Sequence, residues 1–140
     1  LKELAPDVHI QAFTASEIAH LAKIAGMTVE DTLRALKEAG LGSLPGGGAE
    51  VFSGRVRELI CERKISGEEW LDVMRAVHKV GLISTGTMMF GIGDKIEHRV
   101  RHLERIRQVQ DEALANKAVD PNYGEFTALS RGHFNARTPH

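Results

Sequence analysis

The residues of this chain best suited to hold a ligand lie in three short stretches rich in glycine and hydroxyl side chains. Leu44 to Glu50 reads LPGGGAE. Gly46, Gly47 and Gly48 let backbone amides approach a ligand with no Cβ in the way, and the Glu50 carboxylate can accept two hydroxyl protons, as from a ribose. No Gly-Lys-Ser/Thr follows, so the loop is not a phosphate cradle of the P-loop type, and the Gly-x-Gly-x-x-Gly spacing is absent too. A plain turn between a strand and a helix has the same composition. Thr14-Ala15-Ser16-Glu17 places a hydroxyl three residues ahead of a glutamate, the capping-box arrangement, with a ligand contact as its second possible use. Thr87 to Asp94 reads TMMFGIGD. A strand there puts Thr87 and Met89 on one face and Met88 and Phe90 on the other, while Gly91 and Gly93 suit either a tight turn or backbone held close to a ligand.

Other constellations are weaker. His98 and His102 stand four apart, as two zinc ligands on one helical face would, but a third ligand is lacking and Arg99 and Arg101 between them disfavour a cation. A solvated helix face is the expectation. Arg99, Arg101, Arg105 and Arg107 interleave with Glu97, Glu104, Asp111 and Glu112, a charge-paired surface rather than an RNA footprint. Cys61 reads as a small core residue. No Ser-His-Asp or paired-carboxylate set can be assembled.

The elements that must position these stretches follow from periodicity. Residues 8–13 (VHIQAF) predict a buried strand. A helix over 16–25 ends at Gly26, and a second, capped by Thr28 and Asp31, carries Val29, Leu33 and Leu36 before Gly40. Leu41 to Leu44 predicts a very short strand and 52–63 a helix. Ser66 and Glu69 form another capping box ahead of Trp70, Val73, Met74 and Val77, and Gly81 ends that helix. Residues 82–90 predict a buried strand and 95–113 a long helix with Ile96, Val100, Leu103, Ile106 and Val109 along one side. Strands alternating with crossovers this long imply a parallel sheet covered by helices. The fold class is therefore α/β, either an open sheet or a partial (β/α) TIM-type barrel of parallel strands with amphipathic crossover helices. Both place function at the C-terminal ends of the strands.

Composition agrees with an ordinary globular domain: 140 residues, 42% hydrophobic, 26% charged. Its 18 Lys+Arg against 19 Asp+Glu leave a formal net charge of -1, which offers no field for nucleic acid or an anionic membrane. No apolar run reaches the roughly 18 to 20 residues of a spanning helix. A single cysteine cannot close an internal disulfide, which makes a cytoplasmic location the expectation. The first residue is Leu1, in mid-pattern, and the chain reads as a fragment.

Three segments together, HIQAFTASEIAHLAKIAGMTVEDTLRALKEAGLGSLPGGGAEVF, EEWLDVMRAVHKVGL and TMMFGIGD followed by HRVRHLERIRQVQDE, resemble the middle of radical S-adenosylmethionine (SAM) enzymes. The group is that of the futalosine pathway of menaquinone biosynthesis and the deazaflavin synthase subunit. LPGGGAE resembles the menaquinone branch, and WLDVMR with TMMFG-x-G is more similar to the cyclic dehypoxanthine futalosine synthases than to the aminofutalosine synthases. The resemblance spans about residues 1–112. It implies a (β/α) barrel in which a 4Fe-4S cluster binds SAM, an electron donor reduces it, and the resulting 5′-deoxyadenosyl radical takes hydrogen from the ribose of a nucleoside-type small-molecule substrate before a spiro ring closes.

Carried onto this chain, the resemblance implies that Glu50 with Gly46, Gly47 and Gly48 contacts the adenosyl ribose. Arg57 or Arg55 would pair with the methionine carboxylate. Thr14, Ser16 and Glu17 would face the barrel mouth, and Thr87, Met89 and Gly91 would line the substrate side. Asp94-Lys95 stands where the group commonly has Glu-Thr, and Gln11 where histidine is frequent. The Cys-x-x-x-Cys-x-x-Cys cluster motif is missing, and one cysteine cannot replace three thiolate ligands, so this segment alone is expected to be inactive. A small non-catalytic α/β binding domain is the competing class. Residues 113–140 form a divergent tail. A one-base deletion near codon 129 would account for it, since codons for Leu129–Ala136 exist in which one inserted base restores the group's FIPWTFQ.

Overall fold

The computed structural model describes residues 2–60 and 64–131. Its elements run α1 (Ala15–Ala25), α2 (Val29–Glu38), β1 (Ser43–Leu44), α3 (Gly54–Ile60), α4 (Gly67–Lys79), β2 (Ile83–Met88), α5 (Ile96–Lys117) and β3 (Phe126–Arg131). The strands form one parallel sheet in the order β1-β2-β3, with a register irregularity between Ser84 and Thr85. This is the partial parallel α/β architecture expected of a piece of a barrel.

Local chemistry sets the helix ends. Glu17 N–H donates to the Thr14 hydroxyl while the Glu17 carboxylate accepts from the Thr14 amide, so both halves of the capping box form, and Ser66 with Glu69 repeats the device on α4. Gly26, with φ of 63°, closes α1 in the left-handed region that a side chain would disfavour. The core lies where α1, α2 and α4 pack together and α4 meets the sheet. Ile18, Leu33, Leu44, Trp70, Leu71, Met74, Val77 and Val109 are all almost wholly enclosed.

Three expectations are corrected. Residues 8–13 do not form a strand. Gln11 makes one isolated parallel bridge to Ser43, and Phe13 turns the chain away with φ of 61°, leaving Val8 and Phe13 exposed. A two-residue β1 offers too short a ladder for a longer partner. On α5 the buried face runs through His102, Ile106, Val109 and Ala113, whereas Ile96, Val100 and Leu103 are exposed. His102 is therefore a core residue and not part of a solvated face. Beyond that helix the chain returns to the sheet as β3, whose Leu129, Ser130 and Arg131 pair with Gly86, Thr87 and Met88, although no strand was expected in the tail. The expectations about Cys61 and about residues 132–140 fall outside the described residues.

The arginine-rich face of α5 is charge-paired as expected. Arg105 pairs with Glu68, Arg107 with Asp111, and Glu112 with Arg75 from α4.

Candidate functional site

The three stretches come together around the loop that follows β1. The loop after β1 lies directly on β2: Gly46 N–H donates to Thr85 Oγ1 at 2.8 Å, and Thr87 Oγ1–H donates to Gly46 O at 2.5 Å. A Cβ on Gly46 would stand 2.4 Å from Thr85 O, so that glycine serves close approach to the strand rather than to a ligand. Gly47 and Gly48 instead face the cap of α1. A Cβ at Gly47 would meet Thr14 Cγ2 at 3.1 Å, and one at Gly48 would meet Ser16 Oγ at 3.4 Å. At the end of the loop, Met89 N–H donates to Glu50 O at 2.8 Å and ties the far end of β2 to it. Thr14, Ser16, Gly47, Gly48, Glu50, Thr87 and Met89 thus lie in or against one loop.

Several of the expected residues are already engaged by the protein. Arg57 is buried, and its guanidinium donates to Ala49 O at 2.6 Å, to Gly48 O at 3.3 Å and to Ile65 O at 2.6 Å. It braces the loop from behind instead of projecting from it. Glu17 spends its carboxylate on the Thr14 amide and hydroxyl, which hold its pKa below the ordinary value. Glu50 forms an ion pair with Lys64 at 2.6 Å. Gly91 lies in a turn stitched by Asp94, whose enclosed carboxylate accepts from Gly91 N at 2.6 Å, Ile92 N at 2.9 Å and Arg99 Nε at 2.5 Å. Burial alone would raise the Asp94 pKa. The hydrogen bonds from Arg99 and the two amides outweigh it and hold the carboxyl below its usual range.

Trp70 and His102 complete the wall behind the loop, although periodicity had marked the first only as core. Trp70 Nε1–H donates to Gly47 O at 3.1 Å, and its ring lies parallel to Phe126 with centroids 6.2 Å apart. His102 stacks on Phe52 at 4.2 Å and bonds through Nε2 to Thr87 O at 2.8 Å. A carbonyl only accepts, so Nε2 carries the proton and Nδ1 faces the interior as an unpartnered acceptor among the described residues. Burial, reinforced by the nearby Arg57 charge and only partly opposed by the Thr87 carbonyl, lowers the His102 pKa to about 4.

The cap at the mouth has a measurable share in stability. Thr14→Ala removes the acceptor for Glu17 N–H and one donor to its carboxylate, and a loss of about 1 kcal/mol is expected in denaturant unfolding. An unchanged midpoint would mean that the capping box contributes nothing.

The donor set for a metal cluster does not fit. Among the described residues no group of three or more His, Cys, Asp or Glu side chains could hold a metal ion, and the sequence has one cysteine. No helix among the described residues is long and apolar enough to cross a membrane.

The pattern of the radical SAM superfamily matches residues 2–106. An aminodeoxyfutalosine synthase from Thermus thermophilus is 46% identical over 112 residues, 80% of this chain and 30% of the relative. A cyclic dehypoxanthine futalosine synthase from Halalkalibacterium halodurans is 42% identical over 112 residues, again 80% of this chain and 30% of the relative. A 5-amino-6-(D-ribitylamino)uracil–L-tyrosine 4-hydroxyphenyl transferase from Archaeoglobus fulgidus is 43% identical over 112 residues, 80% of this chain and 33% of the relative. The chain spans about a third of the length of these curated relatives. With a parallel sheet, crossover helices and a matched span of this extent, the chain belongs to the radical SAM superfamily.

Proposed function

We propose that residues 1–112 are the central part of a radical SAM cyclase that converts dehypoxanthine futalosine to its cyclic spiro product in menaquinone biosynthesis. The reading is supported by the 42% identity over 112 residues with a cyclic dehypoxanthine futalosine synthase and by the closeness of the LPGGGAE loop to the TASE cap and the end of β2. Around that loop Gly47, Gly48 and Glu50 contact the adenosyl ribose of SAM. Thr14, Ser16, Thr87, Met89 and Gly91 face the nucleoside-type substrate. Gly46 and Arg57 serve the site by fixing the loop, and Glu17 by fixing the helix end beside it. The cluster and its electron donor supply the radical chemistry in the whole protein, and this chain's task is placement and exclusion of side reactions.

A second reading within the class rests on the 46% identity with the Thermus thermophilus aminodeoxyfutalosine synthase. A segment exchange separates the two. Residues 1–112 are to replace the aligned segment in the Halalkalibacterium cyclic dehypoxanthine futalosine synthase and, separately, in the Thermus aminodeoxyfutalosine synthase. Retained product formation is expected in the first hybrid, with at least a tenfold loss in the second. The opposite ranking overturns the cyclase assignment. For the tail, we propose that Leu129–His140 is out of frame. Sequencing the encoding DNA is expected to return FIPWTFQ in the shifted frame, and codons that cannot do so with one inserted base refute the frameshift.

A further inference from the structure

The end of β2 runs past its neighbour on one side. On the β1 side the ladder stops at the Leu44–Ser84 pair, whereas on the β3 side it continues through Thr87–Ser130 and Met88–Arg131. Residues 85–88 therefore have no β1 residue opposite them. A strand end in this position keeps its place only if other groups take up its polar atoms. The loop after β1 supplies ties at Thr85, Thr87 and Met89. One tie comes from elsewhere. His102 Nε2–H donates to Thr87 O at 2.8 Å, the one side-chain hydrogen bond that α5 makes to β2 among the described residues.

The imidazole is held for that task. It is 0% exposed and stacks on Phe52, with centroids 4.2 Å apart and 29° between the planes. Phe52 is hemmed in turn by Trp70, at 5.6 Å between centroids, and by Gly67, where a Cβ would stand 2.9 Å from the Phe52 ring. A carbonyl only accepts, so the bond to Thr87 O requires the proton on Nε2. Burial and the nearby Arg57 charge keep a second proton off Nδ1. The ring thus has a fixed place and a fixed tautomer.

We propose that His102 is a positioning residue for the substrate side of the site. Its Nε2–H, presented from α5, stands in for the strand neighbour that β1 does not supply, and by holding the Thr87 carbonyl it sets the Thr87 hydroxyl and Met89 at the end of β2. The proposal rests on the reading of Thr87 and Met89 as facing a nucleoside-type ligand, and deepens it by naming the group that fixes them. Packing alone and positioning make opposite demands at residue 102, and two substitutions separate them. His102→Gln carries an N–H the same number of bonds from Cα as Nε2 and gives up the stack on Phe52. His102→Phe keeps an aromatic ring and gives up the donor.

Three measurements on the whole chain decide the matter, all by NMR with ¹⁵N and ¹³C labels. In the wild type at neutral pH, His102 is expected as the neutral Nε2–H tautomer. An Nδ1–H tautomer leaves Thr87 O without its donor and overturns the proposal with no variant needed. Without ligand, the Thr87 carbonyl carbon is expected to keep its shift in His102→Gln and to move in His102→Phe. The reverse pattern means packing alone and overturns the positioning role, whatever the ligand does. The third measurement is a titration with dehypoxanthine futalosine. Wild type and His102→Gln are expected to respond at Thr87 and Met89 with similar affinity, and His102→Phe to bind about fivefold more weakly. Equal affinity in all three overturns the role toward substrate and leaves the reading of Thr87 and Met89 intact. No response at Thr87 or Met89 in the wild type counts against that reading and removes the role toward substrate with it, whereas the tautomer and the carbonyl shift still judge the tie between α5 and β2.

Discussion

Between pH 6.5 and pH 4 the chain is expected to lose roughly 5 kcal/mol of stability, about 2.5 kcal/mol from each of two buried histidines. His78 and His102 are enclosed, and burial lowers the pKa of each from 6.5 to about 4. Glu125 pulls His78 slightly the other way, while Arg57 adds to the effect on His102. In the unfolded chain both rings titrate near 6.5, so across this window the unfolded state binds more protons than the folded one. Stability is then full above pH 6.5 and falls as the pH drops toward 4. The carboxylates of Glu17, Glu69, Asp94 and Glu112, all held below their ordinary values, act in the same direction but at lower pH. The upper part of the fall therefore belongs to the histidines. Urea unfolding at about pH 7 and about pH 5 measures it. The His102→Asn variant should show roughly half the wild-type slope, and a wild-type stability that is flat over this interval contradicts the burial of both rings.

Gly46→Ala is expected to cost about 3 kcal/mol or more, at the upper end of overpacking effects. The added methyl would sit 2.4 Å from Thr85 O and 2.8 Å from the Gly86 carbonyl carbon, both backbone atoms of the strand at the centre of the sheet. No side chain can swing aside to relieve such a contact. Either the loop lifts from β2, losing the bonds to Thr85 and Thr87, or the strand shifts. Gly54→Ala is the control, because a Cβ there meets nothing within 4 Å, and a change within about 0.5 kcal/mol is expected. Comparable losses for the two variants would mean that the loop does not lie on the strand.

What the sequence made legible was local. Thr14 with Glu17, Ser66 with Glu69, and Gly26 each depend on a few neighbouring residues, and each takes the form its spacing predicts. The alternation of helix and strand also carried the parallel sheet, because long crossovers admit little else. Contacts between distant segments were not legible. Nothing near His102 in the chain distinguishes it from His98. Its burial follows from Phe52 and Thr87, fifty and fifteen positions away, closing over it. Residues 8–13 looked like a strand because their side chains suit one, yet a strand needs a partner of matching length and β1 has two residues. In the candidate site, glycine content singled out the loop after β1. It could not tell that Gly46 serves the β2 backbone while Gly47 and Gly48 face the α1 cap, nor that Arg57 points inward to carbonyls. Those roles depend on where the loop crosses the sheet.

On the proposed reading, the TASE cap, the LPGGGAE loop and the end of β2 form a single ligand mouth. Hydrogen–deuterium exchange read by mass spectrometry tests it most directly, on the Halalkalibacterium cyclase hybrid carrying residues 1–112, with and without saturating SAM. Slowed exchange is expected together in the peptides covering 14–17, 46–50 and 87–91, with little change over α2 or the exposed face of α5. Protection of one stretch without the other two, or protection centred elsewhere in residues 1–112, contradicts the account.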